Sequence, residues 1–169
     1  ANVYFGGTKK YDWASLVANS LVSALASGIV LAIAFLAYFL IFHPSFLKDI
    51  EPRCILIATL TLPLILLTMY FNNILLGQNR IKEYNLVNLA QGGICLILTL
   101  FLLLVLKGEI FGAILAWTGA TLITTILTIL LVSRVTKITW TLHFSLFKDS
   151  VKFGVKGYLG NVIQFLNYR

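Results

Sequence analysis

The sequence predicts an all-α, polytopic membrane helix bundle, and three observations carry that prediction. Of 169 residues, 59% are hydrophobic and 11% charged, with a mean hydropathy of +0.93; soluble domains carry about 25% charged residues. Uncharged runs cover residues 13–47, 54–79, 84–106 and 110–133, each longer than the roughly 20 residues that take a helix across ~30 Å of hydrocarbon. The basic residues, finally, alternate from loop to loop instead of gathering in one patch.

The spans follow in order, with cores near 18–42, 54–77, 86–106 and 110–132. Span one carries Ser15, Asn19, Ser23 and Ser27 four residues apart, a small-residue seam suited to close helix packing. It is too long for a cleaved signal peptide and lacks a small-residue cleavage site. Span two holds Pro63 near its middle, with Thr59 four residues earlier supplying the carbonyl that loses its donor, so Pro63 is the expected hinge or kink. Span three begins with Asn85, Asn88 and Gln91. Buried amides are costly unless partnered, so these either line a wet pathway or bond between helices. Span four carries Gly108, Gly112, Ala116, Ala120, Thr124 and Thr128 at the same four-residue spacing, a second packing seam. Short links, QNRIKEY between spans two and three and KGE between three and four, make neighbours antiparallel.

Charge sets the orientation. Lys9, Lys10, Arg80, Lys82, Arg134, Lys137, Lys148, Lys152 and Lys156 lie on one side of the spans, against Lys48, Arg53 and Lys107 on the other. The positive-inside bias assigns the larger set to the cytoplasm. The pI near 9.6 is therefore a membrane signature and not a nucleic-acid footprint. After span four, Lys148, Lys152 and Lys156 recur every four residues beside Trp140, Phe144, Phe147, Val151 and Tyr158. That pattern predicts a helix in the membrane interface with its lysines reaching toward headgroups.

The last segment, Gly157 to Tyr168, is uncharged but only twelve residues long, about 18 Å of helix. It enters a bilayer without crossing it, and the chain opens on Ala1, so an internal piece of a longer protein is expected. Arg169 would be ~20 Å deep, the one ionisable side chain there, with no acid in this chain placed to neutralise it.

Chemistry of other kinds has little to build on. Asp12, Asp49, Glu51, Glu83, Glu109 and Asp149 fall in loops or at helix ends, and His43 and His143 lie on opposite sides of the bilayer. No catalytic constellation, metal-ligand spacing or phosphate loop is present in the sequence, so neither an enzyme nor a cofactor is expected. Cys54 and Cys95 sit at different depths and form no disulfide.

The stretch NNILLGQNRIKEYNLVNLAQGG, residues 72–93, followed by KFGVKGYLGNVIQFLNYR, residues 152–169, resembles the polysaccharide and O-antigen (Wzx-type) flippases. These belong to the superfamily that also holds multidrug-and-toxin exporters and the lipid II flippase. The resemblance covers most of the chain. It implies a MATE-like two-lobe transporter of twelve or more spans in a bacterial or archaeal cell (inner or plasma) membrane. Its implied cargo is a polyprenyl-diphosphate-linked oligosaccharide, carried from the cytoplasmic to the outer leaflet for polysaccharide (O-antigen, lipopolysaccharide) biosynthesis. Residues 1–133 would be the family's third to sixth helices in the N-terminal lobe, 134–156 the cytoplasmic amphipathic connector, and 157–169 the start of the seventh helix. By position, Gly157, Asn161, Gln164, Asn167 and Arg169 match that seventh-helix pattern, with Arg169 as the diphosphate contact. The expected substrate pathway is thus Arg169, Asn167, Gln164, Asn161, Asn85, Asn88 and Gln91, with membrane lipids as further partners and no nucleic acid. Rival readings are a drug or cation antiporter of the same superfamily, a membrane glycosyltransferase or polymerase, and a non-transporting remnant.

Overall fold

The computed structural model describes residues 2–42, 50–105 and 109–167, apart from the side chains of Val105 and Asn161. Apolar length dictates its architecture: four helical passages, 13–42, 52–77, 81–104 and 109–133, are long and apolar enough to cross a membrane. This is the all-α polytopic membrane bundle the composition requires. Among the described residues there is no strand.

The first element, α1 (Asn2–Gly7), is a short helix that the sequence pattern did not predict; six residues are too few to show a periodicity. The first span is α2 (Trp13–Phe42). The second is interrupted, with α3 (Pro52–Leu60) and α4 (Leu62–Gly77) meeting at Thr61, two residues before Pro63. Proline lacks the N–H that would continue the ladder and its ring crowds the preceding turn. Two threonine hydroxyls bond back to the preceding turn here: Thr59 Oγ1 donates to the Ile55 carbonyl at 2.6 Å and Thr61 Oγ1 to that of Ile57 at 2.8 Å.

The α4 C-terminus closes with Asn79 at φ 59°. The Arg80 N–H reaches the Leu75 carbonyl at 2.9 Å and the Asn79 N–H reaches Leu76 at 3.0 Å, the paired bonds of a Schellman cap, where asparagine tolerates the left-handed conformation. That cap reverses the chain into α5 (Ile81–Leu100), which widens into a π turn over Phe101–Val105. The fourth span is α6 (Glu109–Ser133). After a non-helical link, α7 runs unbroken over Phe144–Asn167. The boundary expected between connector and final segment, at 156/157, therefore falls inside one helix.

Packing sets α2 against α4, α4 against α6, and α6 against α5. The core joins Val17, Leu21 and Ala24 of α2 to Leu67, Phe71, Ile74 and Leu75 of α4, with Val87 of α5 and Leu131 and Val132 of α6. Small residues make the close approaches. The α6 seam is buried at Gly112, Ala116, Ala120, Thr124 and Thr128, as expected of a packing surface, while Gly108 lies outside the described residues. The Trp13 ring fills the space beside Gly6 and Gly77, where added Cβ atoms would meet it at 2.1 and 2.9 Å. Gly28 of α2 rests on Pro63, so the kink of α3/α4 and the glycine of α2 form one contact.

A smaller cluster, Phe5, Leu16 and Leu146, holds the start of α7. Polar ties reinforce it: Lys10 Nζ and the Tyr11 hydroxyl both donate to Asp149 Oδ2, at 2.5 and 3.0 Å. Asn19 donates to the His143 carbonyl at 3.0 Å and accepts from its N–H at 2.7 Å. The hydrogen bonds from Lys10 and Tyr11 hold the Asp149 carboxyl below its usual range, and the same bond to Asp149 raises Lys10. A depressed carboxylate contributes stability above its unfolded pKa and loses it as pH falls through the folded one; a raised lysine loses it as pH rises past its own. The dock should therefore persist from neutral pH down to about 4 and open below the ordinary carboxylate value of ~3.9. Hydrogen exchange of amides 144–153 across that range checks it; loss of protection already between pH 7 and 5 contradicts it.

Candidate functional site

Polar side chains inside the bundle collect at one level. Counted from the turn that joins α4 to α5, Asn88 is about 10 Å along α5 and Asn72 about 8 Å along α4, at 1.5 Å per residue. There a cleft of about 420 Å³ opens between α4, α5 and α6. Its polar lining is Asn72, Asn73, Asn88, Gln91, Thr68 and Thr121, and its aromatic lining is Tyr84 and Trp117. Among the described residues no carboxylate, lysine or arginine lines it.

Each amide is set by its helix. Asn72 is 8% exposed and its Nδ2 donates to Asn88 Oδ1 at 3.4 Å, leaving Asn72 Oδ1 buried with no donor. A buried acceptor without a partner costs on the order of 1–3 kcal/mol. Gln91 crosses to α6, where its Nε2 donates to Thr121 Oγ1 at 3.2 Å and its Oε1 accepts from Thr124. The α4–α6 wall is closed by threonine pairs, Thr68 with Thr125 at 2.7 Å and Thr61 with Thr118 at 3.2 Å. Such interhelical bonds average only ~0.6 kcal/mol in membranes. The cleft is thus an uncharged, hydrogen-bonding surface with aromatic faces.

The expected pathway residues separate. Asn88 and Gln91 come together in the cleft, whereas Asn85 points away from it and is exposed. Gln164 and Asn167 are exposed on the far end of α7, away from the cleft. Arg169 and the Asn161 side chain lie outside what the structure describes. Pro63 sits at the helix interruption. The sequence reading missed Asn72, Asn73, Tyr84, Trp117 and Thr121. The adjacent amides of Asn72 and Asn73, inside an otherwise apolar run, were the available signal.

Among the described residues no group of three or more His, Cys, Asp or Glu side chains is placed to hold a metal ion, and Cys54 and Cys95 are free thiols. Comparison with known proteins finds no matching family model, no matching characterised protein and no matching solved structure. What fold and site define is a multi-pass membrane protein with an amide-lined, uncharged cleft between α4, α5 and α6.

Proposed function

We propose that the protein takes part in moving a lipid-linked oligosaccharide from the cytoplasmic to the outer leaflet, as a Wzx-type flippase does, without itself being an enzyme. The observation that carries this reading is the cleft of Asn72, Asn73, Asn88 and Gln91 with Tyr84 and Trp117. Amides supply both donors and acceptors to hydroxyl groups. Aromatic rings offer a flat apolar surface with a polar tip, a combination suited to a neutral, polyhydroxylated head.

The remaining parts of the proposal concern the ends of the bundle. Residues 1–133 form the N-terminal lobe, 134–156 the connector and 157–169 the first part of the second lobe, with Arg169 meeting a diphosphate. The membrane is the cytoplasmic membrane of a bacterium or archaeon.

Deleting the gene in its own host should leave lipid-linked oligosaccharide on the inner leaflet, with less glycan reaching the surface. Complementation with Trp117→Ala should lower surface glycan about two- to tenfold relative to wild type, since an aromatic contact is worth ~0.5–1.5 kcal/mol and 1.4 kcal/mol is tenfold in rate. Unchanged surface glycan in the deletion strain would sink the transport reading.

A further inference from the structure

The helix α7 leans on the rest of the chain along one narrow stripe. Leu146 is buried against Phe5 and Leu16, and Asp149 accepts hydrogen bonds from Lys10 and Tyr11. The Phe153 ring stacks on Tyr4 with centroids 4.9 Å apart and 21° between the planes. Residues 146, 149 and 153 follow at helical spacing, so the stripe rests on α1 and the link after it. Lys10 strengthens that grip, its Nζ lying 5.6 Å from the Phe5 ring centre and 5.4 Å from that of Tyr11, within cation–π reach.

Beside the stripe α7 stands apart from the bundle. A second cleft, of about 410 Å³, separates it from α2 and α4. Small residues face each other across this gap: Ser150 and Gly154 of α7, four apart, and Ser20 and Ser23 of α2, three apart. A Cβ added to Gly154 meets nothing within 4 Å, so the two seams do not touch. Small-residue seams let membrane helices pack closely, and the α6 seam of this same chain is buried in that way. The α2 and α7 seams have the same composition and are open.

We propose that α7 closes on α2 along these seams and that α1 is the latch that holds it open. The docked stripe and the cleft-facing residues are about a third of a turn apart around α7, so approach to α2 draws Phe153 off Tyr4 and Asp149 off Lys10 and Tyr11. The latched and closed positions therefore exclude each other, and whatever weakens one populates the other. Asn73 lines both this gap and the amide cleft, so closure lays α7 over one approach to that residue. The inference is independent of what the amide cleft carries.

The test is disulfide trapping in the full chain in phosphatidylcholine nanodiscs, with Cys54→Ala and Cys95→Ala removing the native thiols. Ser23→Cys is paired with Gly154→Cys, and copper phenanthroline is the oxidant. A disulfide needs Cβ atoms about 3.5–4.5 Å apart, a separation reached only on closure. With the latch intact the bond should form slowly. Asp149→Asn should speed it about fivefold, and Phe153→Ala on top of that about threefold more. The charge swap Lys10→Asp with Asp149→Lys should restore the slow rate, which separates release of the latch from damage to the fold. Ser150→Leu, which fills the α7 seam, should cancel the acceleration given by Asp149→Asn. Equal or slower trapping when the latch is cut, no trapping in any variant, or an acceleration that survives Ser150→Leu overturns the proposal.

Discussion

Gly28→Ala is expected to lower the unfolding midpoint of the bundle. The new Cβ would stand 2.5 Å from the Pro63 Cα and 2.9 Å from its nitrogen. Backbone atoms cannot rotate aside, so α2 and the interrupted span must separate, and overpacking of this kind costs about 1–3 kcal/mol. Alanine's helix propensity returns at most ~1 kcal/mol, so the net effect is a loss. Gly28→Leu should lose more and release the packing of Ala24 and Leu21 as well. The control is Gly92→Ala on α5, where nothing lies within 4 Å of the added atom; it should be neutral or stabilising by up to ~1 kcal/mol. Denaturant titration of the three variants in detergent decides the matter. A neutral Gly28→Ala would mean that α2 does not rest on the Pro63 turn.

Gln91→Leu should separate function from stability in the opposite sense. The glutamine links α5 to α6 through Thr121 and Thr124, yet both hydroxyls keep an alternative when it is removed. Thr121 Oγ1 donates to the Trp117 carbonyl at 2.9 Å, and Thr124 Oγ1 has the Ala120 carbonyl at 2.8 Å. No buried hydroxyl is orphaned, and the change in stability should stay within ~1 kcal/mol. The cleft, however, loses one of the two amides on its α5 wall. If the cleft holds a hydroxyl-rich head during translocation, the rate should fall roughly tenfold, the effect of one polar contact of ~1.4 kcal/mol. Gln91→Glu, nearly isosteric, adds a charge at the same place and should lose at least as much. Wild-type translocation by Gln91→Leu at normal protein levels would remove the cleft from the pathway.

The four spans were legible because membrane insertion needs a long apolar run and little else. Trp13–Phe42 and Glu109–Ser133 lie within a few residues of where hydropathy put them. The cleft was legible only in part. Asn88 and Gln91 stood out as amides in span three, but an amide's spacing does not say which face meets a neighbour. Asn85, three residues before Asn88, is not part of the cleft, which takes Tyr84, Val87, Asn88 and Gln91 from α5. Trp117 reads as an ordinary apolar residue until α6 is set against α4. The short α1 and the π turn at Phe101–Val105 left no pattern to read, since six or five residues hold less than two turns of any period.

By itself, then, the sequence determined the solvent, the number of passages and the place of the proline interruption. Each of these depends on local composition acting against a fixed slab of hydrocarbon. Only the tertiary structure decided that Gly28 meets Pro63, that Asp149 fastens α7 to Lys10 and Tyr11, and that Asn72, Asn88, Gln91 and Trp117 share one cleft. Those pairings join residues distant in the chain. Small energies of interhelical packing, spread over many contacts and carried by no single motif, select them.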